Sequence, residues 1–322
     1  MNQTALSLQG KTCVVTGATS GIGRATALAL SSSGANLILV ARRESVGVRL
    51  AAKLRQRPGA GWAEFFQTDL SDRQQVRELA SRIVARQSYI DILINNAGAR
   101  FHTFQKAPDG MELTFATNYL GHFLLTCLLL ESLVSAPRAR VITIGSGAHG
   151  GIAVHDAWWL DEDTYDRKLA YGKSKLANIV FSYEFARRLR STTVTSNAVD
   201  PGGVATNLGK NNGLLSWCRH LAFYALKGEL LSPRRGAQTV IQLAVDPTLD
   251  GVSGRYFYKG HQVESSAASR DVKAATKLWS LSVSLTKLDA RMGSAWKWVN
   301  PEVEKADHSP ICSTSRPLPN AL

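Results

Sequence analysis

The chain has 322 residues, 44% of them apolar and 20% charged, with a formal net charge of +13. That length suits one large α/β domain or two small ones, and the composition excludes a disordered or fibrous chain. The basic residues are dispersed or lie in helix-like stretches such as Arg187, Arg188 and Arg190, with no nucleic-acid motif around them. The expectation is a solvated basic surface that helps to draw in an anionic cofactor, and no nucleic-acid partner.

Cys13, Cys127, Cys218 and Cys312 have no metal-type spacing, so free thiols in a reducing compartment are expected, and no metal site. The first residues lack the basic-then-apolar pattern of a secretory signal. No apolar stretch approaches the ~20 residues of a spanning helix, the best, Phe123 to Leu130, being too short. A cytoplasmic location with no transmembrane segment is the expectation.

In chain order, strands are predicted at Thr12–Thr16, Asn36–Ala41, Glu64–Gln67, Ile90–Ile94, Arg140–Ile144 and Val194–Val199, with a late one at Arg255–Tyr258. Helical patterns occupy Gly21–Ser33, Ser45–Arg57, Asp72–Arg86, Gly110–Val134 and Leu169–Arg190. Such alternation means βαβ units, hence an α/β fold with a doubly wound parallel sheet of about seven strands and helices on both faces. Nearly continuous apolar strands such as Leu37-Ile38-Leu39-Val40 fit a sheet covered on both sides. No linker divides the first 260 residues, so one domain is expected over 1–286, interrupted by an insertion at about 203–235. Residues 287–322 are Pro- and Ser-rich towards their end and are expected to be a partly disordered tail.

The first strand runs into Thr16-Gly17-Ala18-Thr19-Ser20-Gly21-Ile22-Gly23 and then a helix. Glycines there allow a tight turn and close backbone approach to a pyrophosphate, and the helix N-terminus offers free N–H groups and positive charge. The second strand ends Val40-Ala41-Arg42-Arg43, with no carboxylate before Glu44. A guanidinium suits a ribose 2′-phosphate, so NADP(H) is expected, with Arg42 as first choice and Arg43 second; the alternative is a solvated arginine pair. Further on, Tyr171 and Lys175 are four residues apart on one helix face. A lysine ammonium one turn away can stabilise a phenolate and make tyrosine a usable acid/base for a carbonyl oxygen.

TGATSGIG, Asn95-Asn96-Ala97-Gly98 after the fourth strand, Ser146 after the fifth, Tyr171-Gly172-Lys173-Ser174-Lys175, and Pro201-Gly202-Gly203 with Thr206 after the sixth occur in that order. Together they resemble the short-chain dehydrogenase/reductase family over roughly residues 8–260, each motif at a strand's C-terminal end, where such Rossmann-type sheets bind ligands. The resemblance implies Tyr171 as acid/base, Lys175 holding the nicotinamide ribose, Ser146 bonding the substrate oxygen, and Asn118 supporting a proton path to the lysine. It also implies a phosphate cradle of Gly17, Ser20, Gly21, Ile22 and Gly23. Asp69 and Leu70 would sit by the adenine, Asn96, Ala97 and Gly98 by the ribose, and Pro201, Gly202 and Thr206 by the nicotinamide. Asn95 reads as structural, pinning neighbouring strands, and Asp69 has an alternative use as a cap for the helix at 71–73. Gly145 stands where many relatives carry a first serine, which leaves the role of Ser146 intact.

Twenty-four residues separate Ser146 from Tyr171. With Asn118–Phe123 and Ser174–Asn178, this segment is similar to the retinol dehydrogenase-like branch, which implies a bulky apolar alcohol and its aldehyde or ketone as substrates and often a homo-oligomer. Leu214, Leu215, Trp217, Leu221, Phe223, Tyr224 and Leu226 of the insertion, with Trp158 and Trp159, could line a greasy pocket or equally pack a lid or subunit interface. His149 and His155 read as polar loop histidines rather than metal ligands. Two other readings stand beside this carbonyl reductase or alcohol dehydrogenase: an NADPH-dependent C=C reductase, as in protochlorophyllide reductase-like relatives, and a non-catalytic NADP-sensing protein on the same fold.

Overall fold

Aliphatic runs that alternate with helical periods become the strands and covering helices of one sheet. The structure, a computed structural model, describes residues 7–153, 157–204, 208, 230–288 and 296–299. Among these, the strands are β1 (Thr12–Thr16), β2 (Asn36–Ala41), β3 (Ala63–Gln67), β4 (Ile92–Asn95), β5 (Arg140–Ile144), β6 (Thr195–Asp200), β7 (Tyr256–Tyr258) and β8 (His261–Val263). Their order is β3-β2-β1-β4-β5-β6-β7-β8, all neighbours being parallel except the β7–β8 hairpin. From β1 the chain steps outward to β3, returns to β4 beside β1, and then steps the other way. That reversal opens a crevice at the carboxyl ends of β1 and β4.

The helices are α1 (Gly21–Ser32), α2 (Glu44–Arg55), α3 (Arg73–Val84), α4 (Leu113–Phe115), α5 (Gly121–Leu128), α6 (Leu130–Val134), α7 (Arg167–Arg188), α8 (Pro233–Gly236), α9 (Gln238–Val245), α10 (Val272–Thr286) and α11 (Trp296–Val299). Alternate strand residues feed two cores. Cys13, Val15, Leu37, Leu39, Ile92, Ile94 and Ile142 pack beneath α1, α2 and α9. Val14, Ile38, Val40, Leu93 and Val141 pack beneath α3, α5, α7 and α10. Each fully buried Leu or Ile contributes roughly 1.5–3 kcal/mol, and burial on both faces explains why these strands are apolar without alternation. Cys13 and Cys127 are buried free thiols; Cys218 and Cys312 lie outside the described residues.

The structure departs from the expected elements in four places. The helix expected over 110–134 is broken: α4 leads through a π-helical turn, Ala116–Leu120, into α5, and Leu129 separates α5 from α6. An eighth strand, β8, is short and exposed, so it has no apolar signature; Lys259 and Gly260, both at positive φ, make the two-residue turn that folds it back. Helix α10 was not anticipated, its Ser, Thr and Lys content masking a buried stripe of Ala274, Ala275, Leu278, Trp279 and Ser282. Finally, the core extends past residue 286. Leu288, Trp296 and Val299 are buried in it, and Arg188 donates to the Val299 carbonyl, so this part of the expected tail is packed rather than frayed.

Among the described residues, no helix is long and apolar enough to cross a membrane. The stretch Phe123 to Leu130 is core, not surface.

Candidate active site at the carboxyl edge of the sheet

The turn between β1 and α1 requires its glycines. Gly17 has φ +67° and Gly21 φ +52°, a region that costs an L-residue about 1 kcal/mol or more. A Cβ on Gly17 would lie 2.8 Å from Asn96 Nδ2 and 2.9 Å from Ala97 Cα, and one on Gly23 would meet Asn96 and the Gly17 carbonyl. The turn is thereby drawn against the chain leaving β4. Asn96 and Ala97 donate their N–H groups to Thr16 Oγ1 (2.8 and 3.0 Å), and Asn96 Nδ2 donates to the Thr16 carbonyl (2.7 Å). At the start of α1, Ser20 makes no side-chain cap and the first turn holds no acidic residue. Uncapped N–H groups, a positive helix end and bare glycine backbone fit the pyrophosphate of a dinucleotide.

At the end of β2, Arg43 Nη2 donates to the Thr19 carbonyl of that same turn (3.3 Å), and Arg42 Nη1 lies 3.8 Å from Asp69 Oδ2, both largely exposed. The two guanidiniums therefore stand at the end of β2, beside the glycine turn and Asp69. Asp69 accepts from Ser71 N and Oγ (3.0 and 2.8 Å), whereas Asp72 caps α3; the helix cap considered for Asp69 thus belongs to Asp72. Leu70 is buried in the core against Gly121, whose missing Cβ admits the Leu70 carbonyl. Ile22 is partly buried against the core under α1. Asn95 is fully buried and donates to Thr126 Oγ1 on α5 (2.9 Å). Asn95 therefore ties strand to helix, and the link to the neighbouring strand that was expected of Asn95 is made by Asn96 instead.

The reacting groups come from three elements. Asp166 caps α7 by accepting from Lys168 N and Leu169 N (2.9 and 2.7 Å), which sets Tyr171 one turn into a helix buried from Ala170 to Phe185 on most of its surface. Lys175 is only 3% exposed, and its Nζ donates to the Ile144 carbonyl (3.0 Å) and stands 5.8 Å from the centre of the Tyr171 ring. Burial pushes its ammonium down to about 8, opposed by the Asp200 carboxylate. Ser146 follows β5, its Oγ accepting from Ala148 N (3.2 Å). Gly172 brings this loop to Tyr171: a Cβ there would lie 2.9 Å from the Ala148 carbonyl and 2.8 Å from Ile152 Cδ1. At Gly145 an added Cβ would press on Ile179 Cγ1 (3.1 Å) and the Tyr256 ring (3.3 Å), a tight fit that suits glycine where many relatives carry a serine.

Asn118 lies in the π-helical turn, a distortion that often marks functional sites. Its side chain clamps Ala99, accepting from the N–H (2.7 Å) and donating to the carbonyl (2.9 Å), and donates to Ser174 Oγ (2.9 Å). Asn118 Oδ1 and Lys175 Nζ are each 3.6 Å from the position of a Cβ on Gly98, so that glycine keeps the space between them open. Pro201 and Gly202 follow β6, with Gly202 N donating to Asp200 Oδ1 (2.9 Å). The base of the insertion is stitched by a bridge between Val204 and Leu231. Thr206, His155 and Leu214, Leu215, Trp217, Leu221, Phe223, Tyr224 and Leu226 lie outside the described residues.

Two histidines went unrecognised as parts of the site. His122 is buried, with Nδ1 2.9 Å from the Asn118 carbonyl and Nε2 2.9 Å from Thr16 Oγ1. A carbonyl only accepts, so Nδ1 carries the proton and Nε2 accepts from the Thr16 hydroxyl. Burial, and secondarily Lys175, push its pKa down to about 4 against the pull of the Asn118 bond. His149, expected as a polar loop residue, is instead buried: Nδ1 donates to the Ser146 carbonyl (2.7 Å) and Nε2 accepts from Ser266 N (3.1 Å). A lone histidine in the apolar run from Leu120 to Leu130 was the available signal for the first. Trp158 and Trp159 do not line a described pocket; Trp158 is buried in the core and Trp159 packs on Phe115, 5.5 Å between ring centres.

The chain is similar to known proteins in sequence and in overall fold. The family model for short chain dehydrogenases matches residues 11–214. The chain is 40% identical to human retinol dehydrogenase 12 over 291 residues, covering 88% of each, and 39% identical to mouse retinol dehydrogenase 14 over 287 residues, covering 85% of each. Among solved structures, a Mycobacterium paratuberculosis protein superposes with a TM-score of 0.67 at 31% identity, covering 89% of this chain and 98% of that one. A Beutenbergia cavernae protein described as a putative NAD(P) dependent gluconate 5-dehydrogenase, solved with NADP bound at low occupancy, gives 0.64 at 25% identity, covering 79% and 97%.

Proposed function

The chain belongs to the short chain dehydrogenase family and is an oxidoreductase of the retinol dehydrogenase type, and on that footing we propose that it interconverts a hydrophobic alcohol and its aldehyde or ketone with NADP(H). The observation that carries the reading is the Tyr171 phenol set one turn from a buried Lys175 at the carboxyl edge of the sheet, 5.8 Å from ring centre to Nζ. The glycine turn after β1 would hold the pyrophosphate, and Arg42 with Arg43 would hold the 2′-phosphate. When bound, the nicotinamide supplies or accepts the hydride.

The rest of the chemistry falls to side chains. Ser146 Oγ hydrogen-bonds the substrate oxygen and fixes it beside Tyr171. In reduction the Tyr171 hydroxyl gives its proton to that oxygen; in oxidation the phenolate takes it back. The Lys175 ammonium, kept close by the Ile144 carbonyl, offsets the charge left on the phenolate. Asn118 holds Ala99 and Ser174, and so keeps the chain after β4 and the start of α7 in register.

The test is oxidation of NADPH and, separately, NADH by the purified chain with all-trans-retinal, followed by absorbance and by chromatography of the product. Retinol formed faster with NADPH is the expected result. A product reduced at a carbon–carbon bond would replace the reading with the C=C reductase, and no turnover of retinal or simpler aldehydes would remove it.

A further inference from the structure

His149 follows the serine at the carboxyl end of β5 by three residues, and both of its donors reach back to that serine. Its backbone N–H lies 3.1 Å from the Ser146 carbonyl, and its ring Nδ1 lies 2.7 Å from the same oxygen. One residue thus fills both lone pairs of that carbonyl. The residue is only 6% exposed. On the far side of the ring Nε2 accepts from Ser266 N (3.1 Å), and the ring meets that of Tyr256 on β7 edge to face, 5.3 Å between centres.

Ser266 belongs to a segment that is itself tied down. Ser265 Oγ is 2.8 Å from the Tyr183 hydroxyl on α7. Ser269 Oγ lies 2.6 Å from Ser265 Oγ and 2.7 Å from the Ser266 carbonyl. The imidazole therefore bridges the turn after β5 to a ledge fastened on α7, the helix that carries Tyr171 and Lys175. Ser146 is gripped from two sides. Its Oγ accepts from Ala148 N (3.2 Å), so its own hydrogen can be given to a substrate oxygen. Its carbonyl, held by His149, fixes the extended backbone from which that hydroxyl projects.

We propose that His149 is a positioning residue for the reaction: its ring carries the rigidity of the Ser265–Ser269 segment to Ser146 and aims the serine hydroxyl at the substrate oxygen. This rests on the carbonyl–alcohol reading, in which Ser146 holds that oxygen, and adds the group that holds Ser146. One hydrogen bond is worth up to about tenfold in an equilibrium, and a misplacement of about 1 Å near reacting atoms can cost about a hundredfold in rate.

The test separates the two ring nitrogens. In His149→Asn the amide nitrogen sits where Nδ1 sits and still donates to the Ser146 carbonyl. In His149→Gln the amide oxygen reaches the place of Nε2 and accepts from Ser266 N, but nothing on the side chain donates to Ser146. Turnover of all-trans-retinal and NADPH affinity are measured for both, alone and combined with Ser146→Ala. The Gln variant should lose about tenfold in kcat with NADPH affinity within about twofold, and the Asn variant should recover most of the loss. In the Ser146→Ala background the Gln substitution should cost nothing further, because a group that acts only through Ser146 is silent without it. Should the Gln variant fail to bind NADPH, Ser266→Pro is read instead. It removes the N–H given to Nε2 at a backbone φ of −58° that suits proline, and should lower kcat only where Ser146 is present. Equal losses in the Asn and Gln variants, an unchanged kcat, or a loss of the same size without Ser146 reduces His149 to a packing residue and overturns the proposal, while the carbonyl reading stands. No turnover of retinal or simpler aldehydes by the native chain overturns both.

Discussion

Replacing His122 by Asn or Gln should remove a pH-sensitive part of the stability of the fold. The imidazole is buried, neutral, and hydrogen-bonded at both nitrogens, between Thr16 Oγ1 and the Asn118 carbonyl. Its pKa falls from the ordinary 6.5 to about 4. Between those values the unfolded chain binds a proton that the folded chain refuses, so stability declines as pH falls through 6.5 and stops declining near 4. At about 1.4 kcal/mol per pH unit, the gap amounts to on the order of 3 kcal/mol, of which about 2 kcal/mol is already lost at pH 5.

The assay is urea unfolding followed by tryptophan fluorescence at pH 7.5 and pH 5. Both variants lose the bridge and start less stable at pH 7.5, but their decline to pH 5 should be smaller than that of the native chain by about 2 kcal/mol. Cofactor affinity should weaken as well, because Thr16, beneath the Asn96 and Ala97 amides, loses the nearer of the two acceptors of its hydroxyl, the other being the Ile94 carbonyl (3.2 Å). An identical decline in native and variant proteins would show that His122 does not titrate as buried geometry requires.

Tyr171→Phe should leave NADPH binding within about twofold by fluorescence titration while turnover drops by a hundredfold or more, about the contribution of a positioned acid/base; retained turnover would take the phenol out of proton transfer. Gly172→Ala places a methyl 2.9 Å from the Ala148 carbonyl, so the loop carrying Ser146 must move. Its kcat should fall with little change in cofactor affinity, and an unchanged kcat would mean that Ser146 is not held through this contact. Arg42→Asp should turn the kcat/KM preference from NADPH towards NADH; if it does not, Arg43, which reaches the Thr19 carbonyl, carries the discrimination.

What could be read from the sequence was whatever one strand end and its following turn encode. The glycine turn, Asn96–Gly98, Ser146 and Pro201–Gly202 follow successive strands of the central sheet, and a parallel sheet with both faces covered brings all those ends to one edge. The i,i+4 pair of Tyr171 and Lys175 needed only a helix. What stayed hidden depends on closure between distant segments. His122 meets Thr16 across 106 positions, because β1 and β4 become neighbours only after the chain reverses direction. The π-helical turn at Asn118 has no composition of its own. Trp158 looked like a pocket wall because an aromatic residue in a loop has no periodicity to say which way it faces; packing against the core decided it.

A site read from motifs alone therefore describes the chemistry that every such fold performs. The part that selects a substrate lies in the long-range contacts around those motifs.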